Sequence, residues 1–98
     1  MIYVHVTYSL KPDKTCSQFY NELLEAKILE RIHKNPGCIN YDFSYPADGS
    51  TDKLYLLECW KDQESMDTHG QQEYRKEQMA LREKYCVNVD IKRFKEFE

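Results

Sequence analysis

Glycine and proline are scarce in this 98-residue chain, at three each. That scarcity excludes collagen-like and low-complexity classes, and 41% hydrophobic residues exclude intrinsic disorder. No apolar run approaches the ~20 residues that a membrane-spanning helix needs, so no membrane segment is expected. A basic stripe is also missing. The 14 Lys and Arg are scattered among 17 Asp and Glu, for a net charge of −3, and nucleic acid is not an expected partner. Cys16, Cys38, Cys59 and Cys86 form no CxxC pair and no Cys/His cluster, which argues against a structural zinc site. With no leader-like stretch ahead of a pattern that begins at residue 2, they read as reduced thiols of a cytoplasmic protein; two disulfides are the alternative. GxGxxG, P-loop, HExxH and GxSxG patterns are absent. The residues therefore offer no nucleotide, flavin or metal site, and no cofactor is expected. Any chemistry would rest on side chains and substrate.

What the chain has in excess is rings: eight Tyr, four Phe and one Trp, or 13%. They imply either a heavily aromatic core or a ring-lined pocket. Residues 1–98 make a single domain, which buries only a little over ~60% of its unfolded surface. A pocket in so small a body needs compensation, and oligomerisation is the commonest form of it.

Ile2, Val4, Val6, Tyr8 and Leu10 alternate with Tyr3, His5, Thr7 and Ser9, a period of two that predicts a strand. Lys11-Pro12-Asp13 breaks it, and Thr15-x-x-Gln18 reads as a capping box. Cys16, Phe19, Tyr20, Leu23, Leu24, Ile28 and Ile32 then recur at helical spacing, predicting one helix of roughly five turns that Asn35-Pro36-Gly37 ends. A second strand covers Cys38 to Tyr45, with Ile39, Tyr41, Phe43 and Tyr45 on one side. After a turn-rich loop, Lys53 to Trp60 is the third. Asp62 can cap a short helix holding Met66 and His69, and Gly70 can end it. Gln71 to Tyr85 is a weakly amphipathic helix with Tyr74, Gln78, Leu81 and Tyr85 as its stripe. Val87, Val89 and Ile91 form a last strand. The order β-α-β-β-α-α-β is the α+β, ferredoxin-like plan, an antiparallel sheet with helices on one face. The third strand is apolar on both sides, Leu54, Leu56 and Trp60 against Tyr55, Leu57 and Cys59. A half-exposed strand should be apolar on one side only. The expected cover for the second face is another copy of the chain, in a two-fold homodimer with sheets face to face.

Two residues stand out as candidates for chemistry. Glu58 lies inside the two-sided strand and shares a face with Leu54, Leu56 and Trp60. A carboxylate there is either a hydrated strand-end group or a site residue, because burial costs free energy unless it is hydrogen-bonded or protonated. His69 shares a helix face with Met66, directed toward the sheet, and imidazole suits proton transfer near neutral pH. Its plainer alternative is a polar residue at a helix end. His5, on the less apolar side of the first strand, could reach a pocket or simply pack. Tyr41, Tyr55 and Tyr74 could line or cap a cavity, although tyrosines of this kind are more often core.

Taken together, Pro36-Gly37-Cys38-Ile39-Asn40-Tyr41-Asp42-Phe43, followed by Tyr55-x-x-Glu58-x-Trp60 and the helical His69, resemble the antibiotic biosynthesis monooxygenase family, dimeric α+β barrels that include quinol monooxygenases. The resemblance implies a homodimer with a pocket between each sheet and its own helices, and cofactor-free oxidation of a small aromatic molecule, hydroquinone- or polyphenol-like, by dioxygen. It implies His69 as the base and Glu58 as its orienting or charge-balancing partner, with Trp60, Tyr41, Tyr55 and Tyr74 as the wall. In the quinol and autoinducer branches a second His often follows the first by five residues; here that slot holds Tyr74. The haem-degrading branch does not fit, since Trp would stand at His69 and an Asn on the first strand. Two other readings stay open: isomerase-like processing of a small polar signalling metabolite, for which Arg75 or Lys76 would supply the cation, and a non-enzymatic ligand-binding dimer.

Overall fold

The computed structural model describes residues 1–97. Its elements are β1 (Ile2–Leu10), α1 (Cys16–Glu25), α2 (Ile28–His33), β2 (Cys38–Ser44), β3 (Lys53–Trp60), α3 (Gln63–Gly70), α4 (Tyr74–Tyr85) and β4 (Cys86–Lys95). The strands form one antiparallel sheet in the order β2-β3-β1-β4, a ferredoxin-like α+β fold.

Alternation in β1 places Ile2, Val4, Val6, Tyr8 and Leu10 in the core. Opposite them on β3 lie Leu54, Leu56, Glu58 and Trp60, since Val4 pairs with Glu58 and Ile2 with Trp60. Tyr41 and Phe43 of β2 continue this face through their pairing with Glu58 and Leu56. A register shift between Cys38 and Asn40 removes Ile39 from it, leaving that side chain exposed, and Tyr45 lies exposed beyond the strand end. The expected single-sided row in β2 is thus limited to Tyr41 and Phe43. β4 extends past the expected Val87–Ile91 to Lys95, because β1 offers its full length as an edge for pairing.

The expected long first helix is two helices. Thr15 Oγ1 accepts from Gln18 N–H at 3.2 Å and Gln18 Oε1 from Thr15 N–H at 2.9 Å, so the capping box forms. The helix then stops at Ala26, and Lys27 takes the left-handed conformation at φ 57°. On a straight helix Ile28 would follow Leu24, which is 45% exposed. The break redirects the chain so that Ile28 and Ile32 become fully buried. Burying two Ile side chains, about 1.5–3 kcal/mol each, outweighs the ~1–2 kcal/mol cost of a left-handed lysine.

Asp62 caps α3 by accepting from Ser65 N–H at 2.8 Å. At its other end α3 carries Met66 and His69 over the sheet. Its approach to the start of β2 depends on Gly37, where a Cβ would overlap both Oγ and Cβ of Ser65. The Gly37 carbonyl accepts from Lys61 N–H at 2.8 Å, and its N–H donates to Asn35 Oδ1 at 2.9 Å, which pins the contact from both sides. Gly37→Ala is therefore expected to push α3 outward and to lower stability by roughly 1–3 kcal/mol. Equilibrium urea unfolding checks it, with no change in midpoint as the contrary result.

Candidate active site

A cavity of about 410 Å³ lies between the helix-covered face of the sheet and the helices α3 and α4. The sheet contributes Val4, Val6, Tyr8, Tyr41 and Glu58, and α3 contributes Met66 and His69. Two expected site residues, His69 and Glu58, thus meet at one cavity, with Tyr41 beside them.

His69 is 5% exposed and is held on three sides by rings. Trp60 lies 4.6 Å away between ring centroids at an interplanar angle of 31°, Tyr41 at 5.7 Å and Tyr74 at 5.4 Å. Its Nδ1 is hydrogen-bonded to the Tyr74 hydroxyl at 2.5 Å, leaving Nε2 as the free ring nitrogen. Tyr74 is held in turn from behind, by Arg31 with its guanidinium carbon 5.8 Å from the ring centre, and Arg31 is paired with Glu77. Burial, reinforced by the positive charge of Arg75, pushes the His69 pKa down to about 4. The ring is neutral at pH 7.

Glu58 is tied to the strand residue two positions on: its Oε1 accepts from Trp60 Nε1–H at 2.9 Å. Burial raises its pKa, opposed by the Trp60 hydrogen bond and by the charges of Arg75 and Arg93. No hydrogen bond joins Glu58 to His69 among the described residues. Each uses a different partner, and the Trp60 indole, bonded to one and packed on the other, links them. Tyr41 is fixed by the Gln78 amide, which donates to its hydroxyl at 2.7 Å, while Gln78 Oε1 accepts from Arg75 at 2.5 Å.

Trp60 and Tyr74 back the cavity through His69 and do not line it. Tyr55 and His5 stand on the opposite face of the sheet. Tyr55 pairs with Thr7 and shares its side with Leu57, and His5 pairs with Leu57 and packs on Phe94 at 4.8 Å. Neither reaches the cavity, and strand parity is the reason: both are one residue out of phase with Val4, Val6 and Glu58. Three arginines, Arg75, Arg82 and Arg93, line the cavity. Of these, Arg75 is the one that the sequence offers as a candidate cation. Arg82 follows it by two helical turns, and Arg93 shares strand parity with Ile91, so spacing could have indicated both.

A neutral buried histidine has a signature in stability. The unfolded ring titrates near 6.5 and the folded one at about 4, so between these values the unfolded state binds more protons. Stability from this group is complete above pH 6.5 and is lost as pH falls through about 4, by about 1–3 kcal/mol after allowance for solvent access through the open cavity. The raised carboxyl of Glu58 acts with the opposite sign. A His69→Gln variant isolates the imidazole: its stability should fall less steeply than the native protein's between pH 6.5 and 4 in urea unfolding, and parallel curves would contradict the assignment.

Among the described residues, no His, Cys, Asp and Glu side chains gather in threes to hold a metal ion, and no helix is long and apolar enough to cross a membrane. No curated protein matches the chain. Solved structures do. A conserved protein from Methanosarcina mazei Go1 is 28% identical, with a TM-score of 0.83 over 98% of this chain and 92% of its own. Rv0793 from Mycobacterium tuberculosis is 21% identical at a TM-score of 0.81, covering 99% and 95%. A structure named antibiotic biosynthesis monooxygenase is 18% identical at 0.78, covering 100% of both chains. The latter two likenesses concern the fold alone. The family model for antibiotic biosynthesis monooxygenases matches residues 1–81, and the chain belongs to that family.

Proposed function

We propose that this single-domain chain is a cofactor-independent monooxygenase that oxidises small hydroquinone- or polyphenol-like molecules with dioxygen, working as a cytoplasmic homodimer. The observation that carries the reading is the state of His69: a buried, neutral imidazole with Nδ1 held by Tyr74 and its other nitrogen free, on a residue that lines the cavity. With Nδ1–H donating to the Tyr74 oxygen, Nε2 presents a lone pair to a substrate hydroxyl. The empty-site pKa makes His69 a weak base. Proton transfer nevertheless creates an imidazolium beside a phenolate, and their mutual attraction at contact distance raises the ring's affinity for the proton. Tyr74 then accepts from the imidazolium, as the third member of a nucleophile–base–orienter set does.

Once deprotonated, a hydroquinone is electron-rich enough to reduce dioxygen by one electron. The semiquinone and superoxide formed in the cavity recombine at a ring carbon, and the peroxide loses water. One hydroquinone and one dioxygen thus give one hydroxyquinone and one water, with one oxygen atom retained and four electrons moved from ring to oxygen. Val4, Val6, Tyr8 and Tyr41 supply the sheet wall against which these species form. Glu58 keeps Trp60 in place behind His69 and balances the cationic groups of the cavity.

Arg75 at the cavity favours one second reading, isomerisation of a small polar metabolite, and oxygen consumption separates the two. Uptake measured with a panel of hydroquinones should be substantial for the native protein. His69→Ala should lose about 10²–10⁴-fold. Glu58→Gln should lose less, because glutamine still accepts the Trp60 hydrogen bond. Uptake indifferent to both changes would remove the site assignment, and no uptake with any substrate would remove the monooxygenase reading.

The dimer is supported by the face of the sheet turned away from the helices. Leu57 is 49% exposed and Phe94 45%, and they lie on that face with Tyr3 and Tyr55. Sheets packed face to face would bury them, as layers about 10 Å apart do. Native protein should sediment as a dimer at micromolar concentration and Leu57→Lys as a monomer; a monomeric native mass would refute the assembly.

A further inference from the structure

We propose that the α4–β4 side of the cavity, where Arg82 and Arg93 face the space that Arg75 also borders, is an anion subsite that takes a carboxylate carried by the aromatic substrate. The inference rests on reading the cavity as an aromatic site and adds the substrate class. Three guanidiniums line this cavity against two carboxylates, Glu58 and Asp67. The chain as a whole is acidic, with 17 Asp and Glu to 14 Lys and Arg, so partners for arginine are plentiful. The ion pairs among the described residues nevertheless join Met1 to Glu96, Arg31 to Glu77, Lys84 to Glu22 and Lys92 to Asp90. None involves a cavity arginine.

Arg75 is partly engaged, donating to Gln78 and to the Met79 sulfur. Arg82 and Arg93 have no hydrogen-bonded acceptor among the described residues, and Arg82 is half-buried. Arg93 is exposed, so both guanidiniums keep contact with solvent and are free to take a ligand, and a planar fork of donors matches a carboxylate with two parallel hydrogen bonds. Glu58 stands on β3 in the same cross-strand row as Arg93, with Val4 between them. The guanidiniums of Arg82 and Arg93 lie beyond it, so the donors for an acidic substituent are on the α4–β4 side.

Spacing sets the length of the molecule. Tyr74, which holds His69, and Arg82 are eight residues apart on α4, about 12 Å along the helix axis. The arginine side chain spans part of that interval, and a single ring with a short acidic arm fills the rest. The cavity volume of about 410 Å³ suits a molecule of that size. The hydroxyl to be deprotonated then lies toward His69 and the carboxylate toward Arg82 and Arg93.

The test uses the full chain and its one tryptophan. Trp60 packs against His69, so its fluorescence reports occupancy of the cavity. Titrations with hydroquinone and with 2,5-dihydroxybenzoate, the same ring bearing a carboxylate, compare a neutral and an anionic ligand. At low salt the acid should bind at least about tenfold more tightly, and the preference should shrink as ionic strength rises. In the Arg82→Gln/Arg93→Gln variant the ratio of the two affinities should fall to near one. Equal affinities in the native protein, or a preference that survives the double substitution, would overturn the subsite. Oxygen uptake is read separately on the same samples. Arginine-dependent binding of the acid, with no uptake from either ligand, supports the subsite and refutes the monooxygenase reading. Uptake from hydroquinone with no preference for the acid does the reverse.

Discussion

Everything at the site depends on one side chain, Trp60 at the end of β3. Its indole N–H needs an acceptor once buried, and alternation places Glu58 two residues back on the same face, where Oε1 accepts at 2.9 Å. The indole plane is thereby fixed and becomes the floor on which His69 lies. A carboxylate is retained in a half-buried position because the ring bonds it. The histidine is kept neutral because the ring and Tyr41 take the place of water around it. Remove the indole and both ionisable groups lose the contact that defines their state.

The electrostatics follow from that packing. Burial disfavours charge on His69 and on Glu58 alike, so the two shifts run in opposite directions. At neutral pH the histidine is a free base, and three guanidiniums, those of Arg75, Arg82 and Arg93, line the cavity with it. The substrate of the proposed reaction becomes anionic, and such a site suits it: guanidiniums are already in place, and the imidazole is neutral before a proton is transferred to it. The open far face of the sheet bears on the same chemistry, because a domain of this size spares room for a cavity most readily when another surface is buried by assembly.

Legibility varied by element, for local reasons. β1 was readable because one face alone is buried and the period of two is unbroken from Ile2 to Leu10. The caps at Thr15 and Asp62 were readable because a cap is a contact within four residues. The helix break at Lys27 was not. Nothing in the residue types from Glu25 to Ile28 stops a helix, and the left-handed turn exists because the core accepts Ile28 and Ile32 only after the axis is redirected. At the site, Glu58 and His69 stood out as polar groups in apolar settings, while Tyr55 and His5 were drawn in by residue type against their strand parity. Tyr74 was noted as a ring, but its bond to His69 depends on the turn between α3 and α4, which no periodicity describes.

By itself, then, the sequence determined the element types, the alternation of β1 and β3 and the placing of Glu58 and Trp60 on one face, since all of these follow from periods of two and 3.6 and from contacts between near neighbours. Only the tertiary structure decided that His69 bonds Tyr74, that Glu58 bonds Trp60, and that arginines from α4 and β4 share one cavity with the imidazole. These depend on where the helices lie across the sheet. That placement is set by packing of residues far apart in the chain, of which the contact of Gly37 with Ser65 is the clearest instance.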